Sequence, residues 1–184
     1  MMRTQAAYIR LALADALIEL MRERPYAEIG VSDVCERSGV GRTTFYRHCD
    51  CKGGMDCLLI FKLTEGWRSY ELLHRDSLAA NFGCTLLRYV YDNGELVSLM
   101  YENGLTEALR RAFDAMLSAA EIPDGEGGYL ASFCSWGYFG IVCRWIERGF
   151  AETPEEVCRH VGSALGGCAV KPAYVPGADG INSD

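Results

Sequence analysis

At 184 residues with 49% apolar side chains, the chain is long enough to bury a core and too apolar for extended disorder. Its net charge of −7 excludes a polyanion touching the whole surface, but the charge is uneven: residues 1–52 hold eight Arg/Lys and seven Asp/Glu, net +1, whereas residues 53–184 hold ten and eighteen, net −8. Nine cysteines are an odd count, and the opening MMRTQAAYIRLALADALIEL has no unbroken apolar run, so a reducing cytoplasm with mostly free thiols is expected over an exported disulfide scaffold.

The first predicted element is a helix. Ile9, Leu13, Ala16, Leu17 and Leu20 recur at the spacing of one helical face. Pro25 ends it, because proline cannot continue a helix and biases Arg24 away from one. A short helix over Val31–Ser38 follows, with Val34 and Cys35 as inward candidates, and Gly39-Val40-Gly41 breaks it. A third helix is predicted from about Arg42 to His48. Three short helices, the last two joined by a glycine-bearing turn, follow the helix-turn-helix plan.

On that third helix Phe45 is the only large apolar residue without a polar tip, so it is expected to anchor against Val40, Val34 and Leu17. Thr43, Thr44, Tyr46, Arg47 and His48 are left on the remaining surface, with Arg42 at the N-terminal end. The assortment suits double-stranded DNA. Arginine can fork onto guanine acceptors, threonine can donate to a base edge or touch a thymine methyl, and tyrosine, histidine and lysine bind phosphates. A merely polar surface helix is the plainer reading; the preceding helix, the glycine turn and the charge asymmetry favour the first.

Beyond Lys52 the pattern predicts longer helices, at about 53–74, 77–91, 95–101, 104–120, 127–148 and 154–168. Asn93-Gly94, Asn103-Gly104 and Pro123-Asp124-Gly125 are the turn signals between them. The aromatic residues gathered in this part suit either an apolar ligand pocket with hydroxyl handles or a filled helical core. The 17 uncharged residues between Glu126 and Arg144 include four glycines and two serines. That run is too short and too interrupted for a membrane span of about 20 residues. A helix apolar nearly all round needs cover on two sides, and a second subunit can supply one, with Gly137 and Gly140 allowing close approach. Thr153-Pro154-Glu155-Glu156 carries a capping box that opens the last helix. The end, 171–184, has no periodicity and is expected to be loose.

Cys35, Cys49, Cys51 and Cys57 cluster near His48, as a soft-metal or redox site would, but their spacing matches no common zinc pattern and small buried spacers are the plainer account. Cys84, Cys134, Cys143, Cys158 and Cys168 read as core. His48, His74 and His160 sit in no nucleophile or metal motif, so neither an enzyme nor a cofactor is expected.

The stretch VSDVCERSGVGRTTFYRHCDCKGGM resembles the DNA-binding signature of TetR/AcrR-type transcriptional regulators, and YFGIVCRWIERGFAETPEEV is similar to the late helices of some members. The resemblance implies an all-α homodimer. Its helix-turn-helix head, residues 1–52, binds a palindromic operator. Its body, residues 53–170, dimerises and takes a small-molecule effector or partner protein, and residues 171–184 form a tail. By position, the resemblance assigns phosphate contacts to Tyr46, His48 and Lys52 and base contacts to Arg42, Thr43, Thr44 and Arg47. A repressor is the expected sign; a co-regulator acting through protein contacts is the alternative. The chain departs from the signature at Gly30, where a threonine is usual, at Cys49, where a phenylalanine is usual, and at Gly53, where an acidic residue is usual. Two glycines, Gly53 and Gly54, are expected to loosen the joint by up to about 1 kcal/mol each relative to alanine.

Overall fold

The computed structural model describes residues 4–49, 54–117 and 126–164. Among them every regular element is helical, as the periodicity predicts, and no strand occurs. Three helices make the head: α1 (Gln5–Glu23), α2 (Val31–Ser38) and α3 (Arg42–His48), with a short 3-10 turn at Tyr26–Glu28. Thr4 caps α1 by accepting the Ala7 amide at 3.3 Å, and α1 stops at Arg24, extended ahead of Pro25. The body comprises α4 (Asp56–Leu73), α5 (Arg75–Ala80), α6 (Phe82–Asp92), α7 (Gly94–Glu102), α8 (Thr106–Leu117), α9 (Glu126–Glu147) and α10 (Pro154–Ala164).

One predicted helix is two. The segment expected at 77–91 breaks at Asn81, whose backbone leaves the helical region and whose Oδ1 accepts the Cys84 amide at 3.0 Å. Asparagine competes with the helix for its own backbone and suits the cap. Gly83 follows because the Tyr138 hydroxyl lies 2.0 Å from where its Cβ would stand. The capping box at α10 forms as expected: Thr153 Oγ1 accepts the Glu156 amide and Glu156 Oε2 accepts the Thr153 amide at 2.8 Å. The Pro123-Asp124-Gly125 turn, residue Cys168 and the segment 171–184 lie outside the described residues.

A single apolar cluster runs from Leu13, Leu17, Val34 and Phe45 of the head through Leu58, Leu59, Leu63 and Trp67 of α4 to Phe113 of α8 and Val142 and Trp145 of α9. Helix α4 lies between α1 on one side and α8 on the other, so it belongs to both parts. Polar contacts add to this joint. Arg22 meets Glu95 of α7 with two bonds, at 2.6 and 2.8 Å, and the Tyr26 amide donates to Asn103 Oδ1 at 2.8 Å. Lys62 of α4 pairs with Asp15 of α1.

The aromatics of α4 and α6 fill space. Trp67 is buried, and its ring centroid lies 5.3 Å from that of Tyr89 and 6.0 Å from that of Phe82. The Tyr89 hydroxyl donates to the Leu63 carbonyl at 2.6 Å. Tyr138 is held off water by its neighbours, and burial pushes its hydroxyl up to about 12. For these residues the filled core is the arrangement found.

Candidate nucleic-acid interface

Helix α2 begins at Gly30, which has no side chain to cap it. The Asp33 carboxylate instead accepts the Gly30 amide at 2.8 Å. That bond, with Arg24 at 2.8 Å beside it, holds Asp33 below the usual carboxylate range. The turn into α3 needs a left-handed residue, and Gly39 supplies it at φ 69°. Ser38 Oγ accepts the Val40 amide at 3.3 Å and fixes the exit.

Helix α3 presents two unlike sides. Phe45 is 1% exposed and shares one buried cluster with Leu17 and Val34, with Val40 packed against that cluster, as the sequence predicts. Cys49 closes the same core at the end of the helix. On the other side Arg42, Thr43, Tyr46 and Arg47 are exposed, Tyr46 at 67%. Thr44 and His48 are half-buried. Six of the seven residues picked from the sequence therefore share one short helix, and the seventh, Lys52, lies outside the described residues.

The charges of the head are sorted between its sides. Arg37 of α2 is held by Glu19 and Glu23 of α1, at 3.3 and 2.9 Å. Arg24 is held by Asp33 and Arg22 by Glu95. Among the described residues no carboxylate pairs with Arg42 or Arg47. A head of net charge near +1 thus sets Glu19, Glu23 and Asp33 against arginines on the α1–α2 side and, among the described residues, leaves the guanidinium groups of α3 without a carboxylate. A duplex is attracted to that local field rather than to the sum over the head.

Two contributions escape a reading of the sequence. Arg10 of α1 donates from Nε to the His48 carbonyl at 2.6 Å, and its guanidinium lies 5.3 Å from the Phe61 ring centroid of α4. Tyr26 accepts the Asp56 amide on its hydroxyl at 3.0 Å and so caps α4 from the head. Both link positions far apart in sequence; the only local sign is a long polar side chain bordering an apolar stripe.

The cysteines of the head divide. Cys35 and Cys49 are buried free thiols, and burial pushes both up, away from reactivity. Cys57 is disulfide-bonded, which corrects the expectation of a spacer with a free thiol, and Cys51 lies outside the described residues. In the body Cys84, Cys134, Cys143 and Cys158 are free. Burial and the neighbouring Cys84 side chain raise Cys158 well above the usual thiol range. Among the described residues no three His, Cys, Asp or Glu side chains come together as a metal site.

One face of α9 is apolar and open. Tyr129, Phe133 and Trp136 are 84%, 63% and 58% exposed at i, i+4 and i+7, and Gly137 and Gly140 continue the stripe. Among the described residues a Cβ at either glycine would meet nothing within 4 Å, so none of them makes the close approach expected there. Among the described residues no helix is long and apolar enough to cross a membrane.

Comparison with family models matches residues 13–52 to one described as "Bacterial regulatory proteins, tetR family" and residues 81–166 to one described as "Transcriptional regulator C-terminal region". A search of curated proteins finds no match.

Proposed function

The chain belongs to the TetR family of DNA-binding transcriptional regulators, and from that premise we propose that it is a cytoplasmic repressor that grips a palindromic operator as a homodimer. One observation carries the reading: on the outward side of α3 neither Arg42 nor Arg47 meets a carboxylate among the described residues, whereas Arg24 and Arg37 of the head are each paired with one or more. In this reading Arg42, Thr43, Thr44 and Arg47 reach base edges, and Tyr46, His48 and Lys52 hold phosphates. The head is residues 1–52 and the body residues 53–170. The open stripe of Tyr129, Phe133 and Trp136 supports a two-fold contact between bodies. Such a contact sets two α3 helices into successive major grooves, about 34 Å apart or further. A small-molecule effector or partner protein bound to the body shifts the separation of the heads through α4, so that one spacing fits DNA and the other does not.

Titration of a labelled duplex from the promoter of the chain's own gene tests this. Retardation is expected at low salt, with affinity falling steeply as salt rises. Arg47→Ala is expected to cost about 1–3 kcal/mol and relax sequence preference, whereas Lys52→Ala weakens all duplexes alike and lowers the salt slope by about one. No retardation at low salt favours instead a co-regulator that acts through protein contacts.

A further inference from the structure

Helix α3 has seven residues, about two turns, and a helix that short holds its shape only through tertiary contacts. Its last carbonyls have no partner within the helix and form its negative pole. The His48 carbonyl receives the Arg10 Nε–H at 2.6 Å, a charge-assisted bond placed at that pole. The same guanidinium lies over the Phe61 ring, 5.3 Å from its centroid. Phe61 stands on α4, the helix shared by head and body. One side chain of α1 therefore touches both the end of the recognition helix and the helix that carries any movement of the body.

We infer that Arg10 is a positioning residue for DNA binding: it fixes the C-terminal turn of α3 against α4, so that a shift of α4 is passed to Arg47 and His48. The inference rests on the DNA-binding reading and deepens it, because it names the contact through which the body regulates the head. Arg10 acts through the backbone of His48 and not by touching a phosphate. Removing its bond lets the last turn of α3 fray, and both DNA-facing residues of that turn lose their register.

The test compares the parent, Arg10→Met, Arg10→Lys, Phe61→Leu and the double variant Arg10→Met/Phe61→Leu. Each is titrated with the same labelled promoter duplex over a range of salt, after circular dichroism has established full helicity at the assay temperature. Arg10→Met keeps the apolar stem and is expected to bind about tenfold more weakly, with the dependence of log affinity on log salt unchanged. Arg10→Lys restores a donor and a cation at the pole and is expected to recover most of that loss. Phe61→Leu leaves the Arg10 bond in place and is expected to weaken binding less. The double variant is expected to be no worse than Arg10→Met, because the two side chains act as one tie. Equal affinity of Arg10→Met and parent overturns the inference. So does a salt slope reduced by about one, which would put Arg10 itself on a phosphate. Additive losses in the double variant overturn the link to α4. A parent that fails to retard the duplex at low salt overturns the DNA-binding reading and this inference with it, whereas a binding parent with an indifferent Arg10→Met overturns the inference alone.

Discussion

At the scale of single residues, Gly54 at the joint is more constrained than the expectation of a loosening glycine suggests, while Gly53 lies outside the described residues. Gly54 has φ 130°, a backbone conformation that side chains rarely adopt, and a Cβ there would meet Asp56 Oδ1 at 3.1 Å and the Tyr26 hydroxyl at 3.3 Å. The glycine is needed to bring the chain into α4 beneath Tyr26, and Tyr26 in turn caps the Asp56 amide. Gly54→Ala is accordingly expected to destabilise by more than about 1 kcal/mol in urea unfolding, although alanine favours helix. An equal or more stable Gly54→Ala would mean that this position relaxes freely and that the Tyr26 cap does not constrain it.

At the scale of elements, the head was legible because its signals are local. Pro25, the glycine pair around Val40 and the lone Phe45 among polar neighbours each act within a few residues, and α1, α2 and α3 fall where those signals put them. The sequence was misleading where a cap lay inside an apolar pattern. Leu78, Phe82 and Leu86 keep helical spacing across Asn81, so periodicity alone runs through the break between α5 and α6. The sign was present in the asparagine, which competes for backbone hydrogen bonds wherever a helix can start. Asn81→Ala is expected to lose about 1 kcal/mol, because the Cys84 amide loses its acceptor. Hydrogen exchange should rise first at Cys84 and Thr85; unchanged protection there would deny the cap its role. Of the DNA-facing side, the residue types were readable and the charge sorting was not. Nothing in the order of residues says that Glu19 and Glu23 neutralise Arg37 while Arg42 and Arg47 meet no carboxylate among the described residues, since that follows from how α1 packs against α2 and α3.

At the scale of the whole molecule, the open stripe on α9 separates the proposed assembly from the isolated subunit. Trp136→Glu places a charge at the centre of the stripe, beside the carboxylates of Glu107 and Asp114 that already hold Arg110 beneath Trp136. Sedimentation is expected to find this variant monomeric at concentrations where the parent is a dimer, with affinity for a full palindrome lost and that for a half-site kept. A dimeric Trp136→Glu would move the contact elsewhere. The apolar core that runs unbroken from Leu13 to Trp145 has a consequence of its own. No seam in that core lets the DNA-gripping part melt while the rest endures, so heat should release both in one cooperative step. All three tryptophans, Trp67, Trp136 and Trp145, stand in the body. Their fluorescence is thus a thermometer for a region that contains none of them.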